Sequence, residues 1–194
     1  MKGESKGSHR KKKMEIVIGS WGSYNACNER ALGSSWLDLA DFDSWEAIEE
    51  ELTKQGFELN GIDEELFIQD IEGEWGFNCD YMHPKRLFEL MAKADILGNE
   101  KKEEMANAYI EAQGWNDFVD LVERKEDDWD EDIYFYKDMT PEEVAQEMVW
   151  SCYPDLDFTS RNFGWLSDYI EIDYKRIAED SPYFYVSNGT IEIR

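Results

Sequence analysis

Residues 126–132 read E-D-D-W-D-E-D, six carboxylates in seven residues around one tryptophan. Carboxylates at this density can ligate a divalent cation, act as a general acid and base, or face a basic partner. Asp128, Asp130 and Asp132 are spaced like the opening of a calcium loop. Such a loop needs Gly next and a bidentate Glu at its twelfth position; the chain has Ile133 and Met139 there. No metal site is expected. Two carboxylates flanking a sugar bond make a glycosidase, but any pair among the 45 acids meets that spacing, so the pattern selects none.

Other catalytic chemistry is as poorly supplied. Of the two histidines, His9 lies in a basic leader and His83 precedes Pro84, where it reads as a helix cap rather than a base. Cys27, Cys79 and Cys152 are far apart and contain no C-x-x-C pair, which fits reduced thiols in a cytoplasmic protein. Zinc ligation, a Ser-His or Cys-His nucleophile, and the glycine-rich phosphate cradles all lack their residues. The chain is read as a non-enzyme without cofactor.

What remains is charge. Formal net charge is -25 and the pI about 4.3. Residues 1–13 hold Lys2, Lys6, Arg10, Lys11, Lys12 and Lys13 against Glu4, a local +5, so the body beyond them carries -30. That body repels nucleic acid and anionic membrane and attracts basic surfaces. Its one basic patch, Lys85, Arg86, Lys93, Lys101 and Lys102, is offset by Glu89, Glu100, Glu103 and Glu104. Neither nucleic acid nor membrane is an expected partner, and no apolar run reaches the length of a bilayer span. With eight Trp, ten Tyr and ten Phe, the composition is that of a folded chain, since charge-driven disorder comes with few aromatics.

The elements that must hold this charge follow from periodicity. Residues 14–20, 35–39 and 66–71 read as strands, with residues 21–33 a glycine-bracketed loop between the first two. Residues 43–46 open a helix with Asp43 as cap, turning Trp45, Ile48 and Leu52 to one face until Gly56. Three helices follow, from Pro84, from about Glu100 and from about Asn116; the last sets Asp117, Asp120 and Glu123 outward. A strand over 132–137 precedes Thr140-Pro141-Glu142-Glu143, a helix start with cap, proline and reciprocal Glu. Short helices near 165–170 and 173–179 lead to a hairpin with Asn188-Gly189 as its two-residue turn. The expected fold is α+β, an elongated series of three small domains. After the leader or tag at 1–13, expected to be mobile, come an N-terminal α+β domain at 14–82, a central helical domain at 83–130 and a C-terminal α+β domain at 131–194.

Duplex DNA carries one charge per about 1.7 Å of axis, so two bodies of -30 match roughly 100 Å of duplex. At this point the chain resembles the ArdA-type antirestriction proteins. The likeness lies in I-V-I-G-S-W-G-S-Y-N at 16–25, Trp36-Leu37-Asp38 and Phe67-Ile68-Gln69-Asp70-Ile71-Glu72. It continues in Tyr169-Ile170-Glu171-Ile172-Asp173-Tyr174, residues 177–180 and the closing hairpin. Where the family carries its antirestriction motif, residues 155–165 here read D-L-D-F-T-S-R-N-F-G-W.

The resemblance implies a dimeric mimic of bent DNA, borne on mobile genetic elements, that occupies the DNA groove of the methyltransferase core of type I restriction-modification enzymes. The charge-bearing candidates are Asp117, Asp120, Glu123, Glu126, Asp127, Asp128, Asp130, Glu131, Asp132, Glu143 and Glu147. The resemblance also implies homodimerisation through residues after about Asp138, where Trp150, Tyr153, Phe158, Phe163 and Trp165 are the candidate contacts because interfaces favour aromatics. The rival reading is an acidic chaperone for a basic DNA-binding protein.

Overall fold

The computed structural model describes residues 14–72, 82–156 and 160–194. The fold mixes helices with two three-stranded antiparallel sheets, as the α+β expectation requires. Two compact units divide at Glu103 and Glu104, inside a helix. The leader and Phe158 lie outside the described residues.

In the first unit, β1 (Glu15–Ser20) is the central strand of the order β2-β1-β3, flanked by β2 (Leu37–Asp38) and β3 (Leu66–Glu72). Ile16 and Ile18 are wholly buried and Val17 on the other face nearly so, which is why this strand reads as a continuous apolar run. Residues 21–33 are not the open loop expected. They form a short helix α1 (Trp21–Ala26), capped by the Ser20 hydroxyl, and a 3-10 turn at Glu29–Leu32, capped by Asn28. Side-chain caps from Ser and Asn supplied the helix starts that apolar periodicity does not reveal. Gly22 is required where it stands, because a Cβ there would lie 1.7 Å from the Ile62 carbonyl oxygen.

That close approach is locked by Asp63, which is fully buried. Its carboxylate accepts from the Ser23 hydroxyl, from the Glu58 amide at 2.8 Å and from Arg30 Nε at 3.1 Å. Burial pushes this carboxyl up, but the hydrogen bonds from Ser23, Glu58 and Ser20 and the Arg30 charge outweigh it and hold it below its ordinary 3.8.

Helix α2 (Trp45–Lys54) is capped by Ser44 rather than Asp43: the serine hydroxyl accepts from the Ala47 amide at 3.3 Å. Its inward Trp45, Ile48 and Leu52 are buried as the spacing requires. Helix α3 (Pro84–Lys93) begins at the proline, and His83 caps it by accepting from the Lys85 amide at 3.2 Å. Trp45 lies against His83 and Phe88, with ring centroids 6.2 and 6.5 Å away, so α2 and α3 share one core. Lys85 pairs with Glu89 and Lys102 with Asp95, so much of the basic patch is neutralised.

The unit boundary falls inside α4 (Glu100–Gln113). In the second unit, α5 (Trp115–Lys125) buries Phe118, Val119, Leu121 and Val122. Strand β4 (Ile133–Lys137) is followed by α6 (Pro141–Cys152), whose Thr140–Glu143 capping box is complete. Short α7 (Ser160–Phe163), a 3-10 stretch at Gly164–Tyr169 and α8 (Tyr174–Glu179) precede β5 (Tyr183–Val186) and β6 (Gly189–Ile193). The sheet order is β4-β6-β5. The hairpin turn is Ser187-Asn188, one residue earlier than expected, because Gly189 already pairs with Val186 on one side and Lys137 on the other. Only glycine can open β6 there: its φ is 150° and a Cβ would sit 2.3 Å from the Tyr136 carbonyl oxygen.

Candidate functional site

The acidic run is a folded segment held by its one apolar residue. Helix α5 ends at Lys125, Glu126–Asp128 form a 3-10 turn, and the chain reaches β4 five residues later. Trp129, only 1% exposed, inserts into the core against Phe118. The six carboxylates therefore surround a buried anchor. The chain also turns tightly here: the Glu131 amide donates to the Asp128 carbonyl and the Ile133 amide to that of Asp130, each at 3.1 Å. Asp132 is held twice, its carbonyl by the Arg194 amide at 3.0 Å and its carboxylate by Lys125 Nζ at 2.8 Å. The Asp132 bond in turn pushes the Lys125 ammonium above its ordinary 10.5.

Of the charge-bearing candidates, Asp117, Asp120, Glu123, Glu126, Asp127, Asp128, Glu131, Asp132, Glu143 and Glu147 are exposed, and Asp130 is half-buried. Those on α5 and in the run are continuous along the chain, while Glu143 and Glu147 stand on α6. Glu143 is partly committed, since one of its oxygens accepts from the Thr140 amide and hydroxyl at 2.8 and 2.9 Å. Those bonds, the amide's first, hold its carboxyl below the ordinary value. Among the described residues no group of three His, Cys, Asp or Glu is placed to hold a metal ion, and no helix is long and apolar enough to cross a membrane.

The aromatic candidates lie at the surface. Trp150 is 42% exposed, Tyr153 62%, Phe163 40% and Trp165 75%; none of the four belongs to the core of its unit. Leu166, Tyr169, Phe184 and Tyr185 add to the exposed apolar surface of the same unit.

Several features escaped the sequence reading. Glu46, Glu49, Glu50 and Glu58 line an acidic concavity of about 910 Å3 on the first unit, floored in part by Phe57. Their helical spacing shows that the three on α2 face outward, but Glu58 joins them only through the turn after Gly56. On the same unit Trp21 stacks on Phe67, with centroids 4.3 Å apart and planes at 25°, beside the half-exposed Tyr24. No periodic signal marks those rings, because α1 is too short to show one. In the second unit Glu192 is buried under Tyr136 and Arg194, which donate to it at 3.0 and 2.6 Å. Burial first, and then the bond to Glu192, pushes the Tyr136 phenol up to about 12.

No family model matches the chain, and no curated protein matches it significantly.

Proposed function

We propose that the chain is an antirestriction protein of the ArdA type, a protein mimic of DNA. It occupies the DNA groove of type I restriction-modification enzymes and denies them their substrate. The reading includes a cytoplasmic homodimer joined through its C-terminal part, a division into domains at 14–82, 83–130 and 131–194, and no catalytic step of its own.

The observation that carries it is the mounting of the acidic run: five exposed carboxylates and the half-buried Asp130 around the buried Trp129. A solvating tail needs no such anchor. A surface that must present charge at fixed positions does, because holding like charges together costs stability that packing has to offset. Carboxylates placed as phosphates are placed position the partner without carrying sequence. Inhibition should therefore be indifferent to the enzyme's recognition sequence.

The test is a DNA-cleavage assay with two type I enzymes of different recognition sequence, titrated with this protein. Inhibition of both at similar concentrations supports the reading. Inhibition of neither overturns it, and capture of small basic proteins instead of methyltransferase subunits would favour an acidic chaperone.

A further inference from the structure

Glu143, Glu147 and Trp150 stand at i, i+4 and i+7 on α6 and so share one side of it. With Asp138, Met139 and Gln146 they line an open concavity of about 370 Å3. Two separate expectations from the sequence meet here, Glu143 and Glu147 as charge-bearing residues and Trp150 as a contact between copies. Four cations of the same unit are engaged elsewhere: Lys125, Lys137, Arg176 and Arg194 pair with Asp132, Glu104, Asp180 and Glu192. Glu143 gives its Oε2 to the capping box, which leaves Oε1.

Resting on the antirestriction reading, we infer that this groove takes one arginine side chain of the basic partner. The occupant follows from charge complementarity and shape. A cation is attracted to the face of an indole, and Trp150 is 42% exposed. Asp138, Glu143 and Glu147 line the same groove as that ring. A planar guanidinium can stack on the ring while its forked donors reach carboxylates, which a lysine ammonium does less well. Met139 supplies apolar surface for the aliphatic stem, as long cationic side chains prefer. Trp150 is then a partner contact and not part of the seam between copies. It adds a short-range ring contact to the long-range attraction of the polyanion.

The test uses the full chain, an arginine-rich hexapeptide and its lysine counterpart, with calorimetry at one fixed salt concentration. Trp150→Ala leaves net charge unchanged, so any loss reports the ring. The expected loss of affinity for the arginine peptide is about threefold to tenfold, with Trp150→Phe retaining most of the binding and the lysine peptide affected less. Should Trp150→Ala not fold, Glu147→Gln must weaken the arginine peptide more than Glu142→Gln, which removes the same charge from the same helix outside the groove. Equal affinity for Trp150→Ala and the parent, or equal effects of the two glutamine substitutions, overturns the inference. So does a light-scattering mass that falls on Trp150→Ala, because the ring would then lie between copies. The peptide arm contains no restriction enzyme. Failed peptide binding with intact inhibition of cleavage sinks the groove alone, whereas the reverse sinks the antirestriction reading and leaves the groove.

Discussion

The Trp129 indole meets the Phe118 ring edge to face, with centroids 5.3 Å apart and planes at 86°. Both rings are buried, and this contact anchors the run of carboxylates to the core. Edge-to-face pairs add about 0.5–1.5 kcal/mol beyond the area they bury. Anchor and charge are thus separable by mutation. Trp129→Ala should destabilise the fold by about 3–5 kcal/mol, the usual cost of truncating a buried aromatic, as read from a lower urea midpoint. An unchanged midpoint would show that the run is not held by this ring. Replacing the six acids of 126–132 with their amides should leave the midpoint unchanged or higher, since self-repulsion falls and an exposed ion pair such as Lys125–Asp132 is worth little. That variant should nevertheless lose most inhibition, whereas Asp128→Asn alone should lose little.

Asp63 makes a second prediction, on acid stability. Its folded-state value lies below its ordinary 3.8, so the stability it contributes is present above the unfolded value and is lost as pH falls through the folded one. The window is therefore below about pH 4. Asp63→Asn should flatten that part of the pH–stability curve and lower stability at neutral pH by about 3 kcal/mol, the low end for breaking a buried ion pair, because Arg30 remains partly exposed. An unaltered acid limb would assign the loss to other carboxylates.

Assembly gives the third. Tyr153 and Trp165 are among the most exposed rings of the second unit, and truncating both to Ala should convert a homodimer to a monomer without lowering the urea midpoint. Light scattering at micromolar concentration checks both states. A monomeric parent would remove the dimer from the account.

Salt gives the fourth. DNA binding weakens with salt at a slope of about -0.9 per phosphate contacted, through counterion release. Carboxylates on a protein are sparser and hold fewer counterions, so the complex with the methyltransferase core should weaken along a shallower slope. Affinities of both ligands for one enzyme between about 50 and 200 mM salt give the comparison. A salt-independent complex would mean that apolar contact dominates.

Much of this was legible where a local rule decides. The Thr140–Glu143 box, the His83 cap, the Pro84 start and the apolar stripe of α3 are set by residues a few positions apart. Short spans misled where two local rules compete. Asp43 and Ser44 are both good caps, and it is the Ser44 hydroxyl that accepts from the Ala47 amide. Asn188-Gly189 is a strong turn signal, but Gly189 is claimed by the close approach of β4. The Asp63 cluster was invisible, because Ser23, Arg30, Glu58 and Asp63 are gathered by tertiary structure. Trp129 was visible as the single apolar residue in its run, though its burial was not.

Whether this protein and DNA compete for one groove is measured most directly by displacement. A labelled duplex bound to a type I methyltransferase core is titrated with the protein. If the carboxylates stand in for phosphates, the apparent Kd for DNA rises linearly with protein concentration, no ternary complex forms, and the variant with 126–132 neutralised displaces DNA poorly. A ternary complex of enzyme, DNA and protein, or displacement by the neutralised variant as efficient as by the parent, would contradict the account.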